Sequence, residues 1–228
     1  MSDVFDYAHA LYTELRPQVY YLDHDPVLAA QAHYDVHVAP CAAMAAGLLS
    51  NAWHVAHNPE LRPLDAPAEP LDRAFGRCVP PARRGAPELW KGGDSFHDSR
   101  TGDAPYYTLW GQRILGPLRT EDDPHARWVS SGPENYLWVW QLGMSLCAEH
   151  AFRFGSRLPA EPVLWTLELL PPGLGEDPRS EPVPQVPRGE LVEVDGYYDA
   201  VASYRAYYLA DRRALASYTN RRPPCWFE

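Results

Sequence analysis

The amino-acid sequence predicts a mainly α-helical fold, built as a single compact helical domain over residues 1–228 with a long proline- and glycine-rich irregular insertion. Three observations carry this prediction. Apolar residues recur every three or four positions in several stretches, which is the spacing of one helix face. The chain has 228 residues and is 46% hydrophobic, so it can bury a sizeable core. Its 24 prolines and 15 glycines leave much of the length to loops.

The first helical stretch is predicted to begin at Pro26. An aspartate at position 25 can accept hydrogen bonds from the first helical amides, and a proline at the first helical position loses no bond. Pro40 lacks an amide hydrogen and clashes with the preceding turn, so we expect a kink or break near residue 39. A second helical stretch should then run from Cys41 to about His57.

Residues 58–133 are predicted to form the insertion, made of loops and short turns. This segment holds eleven prolines together with short aromatic islands. Disordered segments are poor in aromatic residues, so we expect the insertion to be ordered.

Three further helices are predicted after the insertion. The clearest spans 134–154, with Gly155 as its stop. A shorter helix should cover 160–170, and the last should cover 197–218, with tyrosines along one stripe. The aromatic tail at 221–227 needs a surface to pack against.

Charge and cysteine content restrict the function classes. The formal net charge is −10, which opposes general attraction to polyphosphate. The cations are one lysine and nineteen arginines; arginine is the better fork for phosphate or carboxylate, but we favour a GC-rich genome as the source of the bias. Four scattered cysteines predict neither a zinc ribbon nor a disulfide framework, and a reducing cytoplasm is expected. No signal peptide or membrane span is predicted, so we expect no membrane partner.

His33 and His37 are four residues apart on a predicted helix and could share one ligand. No third ligand stands at metalloprotease spacing, so the sequence predicts no metal site. Asp35 lies on the opposite side of a straight helix from both rings, but could orient one of them through the kink near Pro40. Dinucleotide-binding, P-loop, hydrolase-elbow and zinc-protease motifs are absent from the sequence.

Several other polar residues permit both a structural and a functional interpretation. Asp25 is expected to be a helix cap, which leaves Asp23 freer to act. Glu149 and Arg153 form an i,i+4 pair that either stabilises a helix or, if buried near a ligand, supplies a guanidinium fork for phosphate or carboxylate. Aromatic and amide groups near Asn135 and Tyr204 can hold a base taken out of a duplex, but such stripes also form helix cores.

Short blocks in a fixed order resemble a helical protein family carried by tailed bacteriophages and large DNA viruses. The resemblance extends over about residues 20–227, with a divergent middle. The blocks are Tyr21-Leu22-Asp23-His24-Asp25-Pro26, Ala29-Ala30, His33-Tyr34-Asp35-Val36-His37-Val38, Leu48-Leu49-Ser50 with Ala52, Asn135-Tyr136-x-Trp138, Glu149 with Arg153-Phe154-Gly155, Tyr204-Arg205-x-Tyr207-Tyr208 and Arg222-x-Pro224-x-Trp226-Phe227.

This resemblance implies a link to amino acid:DNA transferases of viral thymidine hypermodification. In that chemistry a 5-hydroxymethyluracil in DNA is activated as a pyrophosphate ester, and the amine of an amino acid such as glycine displaces pyrophosphate. The implied partners are modified viral DNA and a free amino acid, in the cytoplasm of an infected host. No cofactor is required, although a divalent cation bridging pyrophosphate oxygens stays open.

The chain departs from the family pattern in the block that contains His37. The family has lysine, lysine and glutamate where this chain has Val36, Pro40 and Met44. This difference implies another substrate, charges supplied from elsewhere, or lost activity. Asp35 and His37 match the pattern, which favours a role for both.

The expected catalytic residues are His37, which would take the ammonium proton, Asp35, which would orient it, and Asp23. Three arginines would neutralise the leaving pyrophosphate, and an amide and two rings would hold the flipped base. These groups are Arg153, Arg205 and Arg222, and Asn135, Tyr136 and Trp138. The remaining expected substrate-binding residues are His33, Glu149, Tyr204, Tyr208 and Trp226.

Two alternatives remain open at this stage. A glycosylase-like or hydrolytic enzyme that processes modified bases would use a similar pocket. A non-enzymatic viral protein that binds or inhibits a host protein would fit the acidic composition.

Overall fold

The computed structural model describes residues 18–57, 89–90, 106–109, 112–114, 123–171, 174–211 and 215–227. The chain groups into two compact units. Unit 1 comprises Met1–Met44, Gln141–Leu158 and Val183–Glu228, and unit 2 comprises Ala45–Trp140 and Pro159–Pro182. The single-domain organisation expected from the sequence stays a prediction.

The mainly α-helical class is confirmed. Within the described residues there are six α-helices, which are α1 Pro26–Ala32, α2 Asp35–His57, α3 Pro124–Ser131, α4 Pro133–Phe154, α5 Ala160–Thr166 and α6 Ala200–Asp211. Single turns of 3₁₀ helix cover Arg188–Glu190 and Cys225–Phe227.

Helix α1 begins as the sequence predicts. The Asp25 carboxylate accepts hydrogen bonds from the amides of Val27 at 2.8 Å and Leu28 at 3.4 Å, and Pro26 occupies the first turn. The aspartate thereby satisfies two amides that have no partner inside the helix. The interpretation of Asp25 as a helix cap is confirmed.

The break between the first two helices lies earlier than predicted. Helix α1 ends at Ala32, with His33 in an extended conformation, and Pro40 lies inside α2. The predicted break near residue 39 is therefore wrong. A proline at this position removes one hydrogen bond, to the Val36 carbonyl, and burial of the following turns keeps the helix continuous.

Helix α3 lies within the segment that was predicted to be loops and short turns, and that prediction is wrong for residues 124–131. Asp123 accepts from the amides of His125 at 2.8 Å and Ala126 at 3.2 Å, and Pro124 follows it. This is the same aspartate-proline start that begins α1. The signal was present in the sequence but was outweighed by the proline content of the insertion.

The later helices follow the prediction with changes at their ends. Helix α4 matches the predicted 134–154, and Gly155 stops it with a φ of +71° that favours glycine. Helix α5 ends at Thr166, before the predicted residue 170. Helix α6 is shorter than the predicted 197–218, because Tyr197 belongs to a strand and residues 215–218 are not helical.

Two small antiparallel sheets are present in the described residues. In unit 2, strands β1 Leu89–Trp90, β2 Tyr106–Leu109 and β3 Gln112–Ile114 pair in that order. In unit 1, β4 Glu193–Val194 and β5 Tyr197–Tyr198 form a hairpin. Its turn residues Asp195 and Gly196 have φ values of 52° and 83°, as a two-residue hairpin turn requires.

Each unit has its own buried residues. In unit 1 these include Tyr20, Leu22, Ala29, Val38, Leu142, Leu146, Tyr204 and Tyr208. In unit 2 they include Leu48, Leu49, Trp53, Val129, Tyr136, Val139, Leu164 and Leu167. Across the part of the chain that the structure describes, none of the helices is long and apolar enough to cross a bilayer.

Candidate functional site

Unit 1 contains a buried group of imidazole and phenol rings, which we call the histidine-tyrosine cluster. Its members are Tyr20, His33, Tyr34, His37, Tyr204 and Tyr208. They come from the segment before α1, from the junction of α1 with α2, from the first turns of α2 and from α6. All six residues are buried. Burial raises the phenol pKa of Tyr208 well above its usual value.

His37 is held in this cluster by a hydrogen bond and by stacking. Its Nδ1 lies 2.8 Å from the Tyr208 hydroxyl. The rings of Tyr20 and Tyr34 stack on it at centroid distances of 5.1 and 5.7 Å. The side chain is 0% exposed, so in this conformation the imidazole is out of reach of a substrate.

His33 is kept neutral by its surroundings. Its Nδ1 lies 2.7 Å from the Ala29 carbonyl, which can only accept, so Nδ1 carries the hydrogen and Nε2 carries a lone pair. The pKa of His33 is lowered to about 4, chiefly by burial; the Ala29 bond opposes this effect and the positive charge of Arg153 adds to it. Among the described residues, Nε2 has no hydrogen-bond partner. Nε2 of His33 is thus a buried hydrogen-bond acceptor, and the described residues supply no donor for it.

Arg153 joins helix α4 to the end of α1. Its Nη2 donates to the Gln31 carbonyl at 2.9 Å, and its Nη1 donates to the His33 carbonyl at 2.8 Å. These carbonyls belong to the last turn of α1 and the residue after it, where intrahelical partners run out. A guanidinium at this end also interacts favourably with the helix dipole.

The same guanidinium is neutralised by two carboxylates. Its Nε donates to Glu149 at 3.0 Å, and its Nη1 donates to Asp35 at 3.0 Å. The predicted i,i+4 pair with Glu149 is confirmed. Because Arg153 is buried and four of its hydrogen bonds are internal, the structural interpretation of this pair is favoured over a free fork for phosphate.

Asp35 faces Arg153 and the C-terminal segment. It accepts hydrogen bonds from the Ser217 hydroxyl at 2.8 Å and from the amide and hydroxyl of Thr219 at 2.9 and 2.8 Å. Burial alone raises the pKa of Asp35, but these bonds and Arg153 outweigh it, so the pKa lies below its usual value. None of the hydrogen bonds found for Asp35 among the described residues involves His37. The prediction that Asp35 orients His37 is therefore wrong, and Tyr208 holds that ring instead.

Asp23, Arg205 and Trp226 form a second polar group in unit 1, which we call the ledge. Arg205 donates through Nη2 to Asp23 at 2.9 Å and through Nε to the Leu22 carbonyl at 2.8 Å. Its guanidinium carbon lies 5.2 Å from the Trp226 ring centroid. The side chains of the ion pair are 28% and 27% exposed, so this group is accessible to solvent.

The other predicted residues of unit 1 differ in exposure. Arg222 is exposed, and Glu149 is buried between Arg153 and Arg221. The hydroxyl of Tyr204 accepts from the Gln185 amide at 3.1 Å. Of these, Arg222 is the group most open to an anion.

The predicted base-binding residues lie in unit 2, where they are buried. Asn135 donates to the Trp128 carbonyl at 3.3 Å and to the hydroxyls of Ser131 and Ser180 at 3.0 and 3.2 Å. The ring of Trp138 lies edge-on to Trp128 at 5.8 Å. These contacts agree with the alternative interpretation, in which this stripe is helix core.

Tyr136 is likewise bonded inside unit 2. Its hydroxyl accepts from Trp53 Nε1 at 2.9 Å and donates to the Leu167 carbonyl at 2.8 Å. Burial raises the pKa of Tyr136 far above its usual value. The hydroxyl is therefore already saturated and offers little to a flipped base.

Sequence reasoning missed the residues through which the C-terminal segment binds unit 1. They are Ser217, Tyr218, Thr219, Asn220 and Arg221. Arg221 donates to both oxygens of Glu149 at 2.7 and 2.5 Å. The aromatic tail indicated that this segment would pack against the fold, but no local pattern identified Asp35 and Glu149 as its partners.

Neither metal binding nor similarity to known proteins narrows the choice of function. Over the residues that the structure describes, no group of three or more His, Cys, Asp or Glu side chains is placed to hold a metal ion. Comparison of the chain with protein-family models, with curated proteins and with solved structures gave no match.

Proposed function

We propose that this protein is a viral DNA-modification enzyme that transfers the amine of an amino acid to the 5-methylene of a pyrophosphate-activated hydroxymethyluracil. One observation supports this proposal most. Blocks that carry the resemblance, although up to about 180 residues apart in sequence, meet in unit 1 through Asp35 with Arg153, His37 with Tyr208, and Asp23 with Arg205.

The reaction makes three demands on the protein. The amine must lose its proton so that nitrogen can form a bond with the methylene carbon. The bond from that carbon to the pyrophosphate oxygen breaks, and pyrophosphate leaves with the electron pair. Water must be excluded, because water attack at the same carbon would regenerate the alcohol.

The contacts of unit 1 suggest how these demands are divided. The ledge offers a guanidinium and an indole face at the surface, which suit a phosphate oxygen and a pyrimidine ring. Exposed Arg222 is a second cation for the leaving pyrophosphate. Arg153 is assigned to the framework, since its bonds are internal.

His37 stays the proposed proton acceptor, with Tyr208 in place of Asp35 as the group that orients it. A fully buried ring cannot meet an amine directly. The proposal therefore requires unit 1 to open near this ring before the chemical step.

The test uses the purified full-length chain and an oligonucleotide that contains pyrophosphorylated hydroxymethyluracil. The DNA is incubated with a mixture of amino acids, digested to nucleosides and analysed by mass spectrometry. We expect one nucleoside with the mass increment of a single amino acid, and none when the DNA carries unactivated hydroxymethyluracil. The His37→Ala variant should lose this product, whereas His150→Ala, at a half-buried histidine of α4 outside the histidine-tyrosine cluster, should retain it.

Two outcomes would overturn the proposed reaction, and a third would overturn the proposed role of His37. Release of a free base would indicate the glycosylase-like alternative. Unmodified nucleosides together with tight binding to a host protein would indicate the non-enzymatic alternative. Full turnover by a correctly folded His37→Ala variant would remove His37 from the mechanism.

A further inference from the structure

The C-terminal segment of unit 1, residues 215–227, crosses the junction between α1 and α2, and we call it the strap. No side chain of the strap is buried. It is attached by hydrogen bonds, by the ion pair of Arg221 with Glu149 and by ring contacts of Tyr218 and Phe227, and none of these buries a strap side chain fully. Elements with few buried apolar contacts open locally at a lower free energy than the whole fold.

The first attachment of the strap is Asp35. The Asp35 amide donates to the Ser217 carbonyl at 2.9 Å, and its carboxylate accepts from Ser217 and Thr219. The Tyr218 hydroxyl donates to the Ala32 carbonyl at 3.1 Å. This attachment joins the strap to both sides of the helix junction.

The second attachment is at helix α4. Asn220 donates to the Arg153 carbonyl at 3.2 Å, and Arg221 donates to the Glu149 carboxylate through Nε and Nη2. Asn220 has a φ of 58°, a left-handed conformation that asparagine tolerates better than most residues. The chain therefore makes a sharp turn between its two points of attachment.

Tyr34 lies directly under the strap. Its ring meets Tyr218 and Phe227 edge-on at 5.6 and 6.1 Å. Its ring also stacks on His37 at 5.7 Å and contacts Tyr208 at 4.5 Å. Tyr34 is 0% exposed, although the strap residues that cover it are partly exposed.

We propose that the strap is a lid over the histidine-tyrosine cluster, which opens locally while the rest of unit 1 stays folded. Opening removes the two rings that cover Tyr34 and leads toward His37 and the buried Nε2 of His33. Solvent would then reach these groups only when the polar attachments of the strap at Asp35 and Glu149 are broken. This inference concerns access alone and does not depend on the reaction proposed above.

The test is nitration of tyrosines by tetranitromethane under native conditions, followed by site-resolved mass spectrometry. Tyr136 and Tyr204 are also 0% exposed and serve as internal controls, because the Tyr136 hydroxyl bonds Trp53 and Leu167 and the Tyr204 hydroxyl bonds the Gln185 amide. We expect Tyr34 to react faster than both. The Thr219→Val variant should accelerate Tyr34 nitration by about tenfold, the change expected for the loss of one hydrogen bond to a charged group.

A matched control is Thr166→Val, which removes a hydroxyl that donates only within α5. This variant should leave the rate at Tyr34 unchanged. Amide hydrogen exchange gives a second measurement, in which the Thr219 amide should exchange with less dependence on denaturant than the amides of α6. Arg221→Gln loosens the other attachment and should have the same direction of effect.

The lid would be disproved by equal nitration rates at Tyr34, Tyr136 and Tyr204, since this would mean that all three react only after global unfolding. It would also be disproved if Thr219→Val raised all three rates by the same factor. Both experiments use no DNA, so their failure is distinct from failure of the proposed transfer reaction.

Discussion

Units 1 and 2 bury polar groups of different kinds. In unit 1, Arg153 is surrounded by Asp35, Glu149 and backbone carbonyls, and its side chain is 0% exposed. In unit 2, the buried hydrogen bonds described for Tyr136 are neutral and form a relay from Trp53 through Tyr136 to Leu167. Removing one member of a buried charged set leaves the others uncompensated, whereas removing one neutral partner costs a single desolvated group. These two buried sites should therefore respond differently to substitution.

The largest effect is expected from Arg153→Met. This change leaves Asp35 and Glu149 without their shared counterion and leaves the last carbonyls of α1 without a donor. We expect the free energy of unfolding to fall by about 3–5 kcal/mol, measured by urea denaturation at pH 7. Arg127→Met, at an exposed arginine of unit 2, should change it by less than about 0.5 kcal/mol. Similar losses in the two variants would contradict the assigned role of Arg153.

Acid should destabilise both units through their buried histidines. Burial lowers the pKa of His33 in unit 1 and of His125 in unit 2 to about 4, with Asp123 opposing the effect at His125. Between pH 6.5 and 4 the unfolded chain binds protons that the folded chain does not, so the free energy of unfolding falls as the pH falls. The loss should approach about 3 kcal/mol for each histidine.

Substitution can separate the contributions of the two histidines. His125→Gln should remove the part of the pH dependence that comes from unit 2, and His33→Gln the part that comes from unit 1. Unit 1 should also lose stability as the pH falls below 3.8, because the Asp35 carboxylate of the unfolded chain then binds a proton while the folded one, with its lowered pKa, is still ionised. A flat stability profile from pH 7 to pH 4 would show that these imidazoles do not titrate as expected.

Tyr136→Phe should have an intermediate effect. It leaves the Trp53 indole N–H without an acceptor and the Leu167 carbonyl without a donor. We expect a loss of about 2 kcal/mol in urea denaturation, with little change between pH 7 and pH 5 beyond that of the unaltered protein. Tyr198→Phe, at an exposed tyrosine of the β4–β5 hairpin, is the control. A strongly pH-dependent loss at Tyr136 would show that the neutral description of unit 2 is wrong.

The smallest effects are expected where the units are alike. Asp25→Ala and Asp123→Ala each remove two hydrogen bonds at a helix start, and each should cost about 1 kcal/mol. Asp25→Asn and Asp123→Asn keep an acceptor and should cost only a few tenths of that amount. Thermal unfolding followed by circular dichroism can compare the four variants. A cost confined to one unit would show that these equivalent caps contribute unequally.

The parts of the fold that could be predicted are those set by neighbours in sequence. The start of α1, the course of α4 and its stop at Gly155 depend on residues within one or two turns. The end of α1 could not be predicted, because Arg153 and Tyr218 bind its carbonyls from far along the chain. The effect of Pro40 was overestimated for the same reason, since burial of the rest of α2 outweighs one missing bond.

Predicted site residues lie in both units, and most of their partners were not predicted. Asn135, Tyr136 and Trp138 lie in unit 2. Asp23, Asp35, His37, Glu149, Arg153 and Arg205 do lie in unit 1. Their partners were not foreseen, because a charged side chain can bind any complementary group that the fold brings near it. Asp35 illustrates this, since Ser217 and Thr219 look like ordinary polar residues in the sequence.

The strap has a consequence for the order in which the protein is made. Ribosomes release a chain from its amino end, so the start of α2 emerges long before Ser217 and Thr219 exist. Until residues 217–219 have been synthesised, the Asp35 carboxylate and the Ala32 carbonyl lack the hydrogen bonds that these residues supply. The junction of α1 with α2 therefore gains part of its support about 180 residues after it has itself been translated.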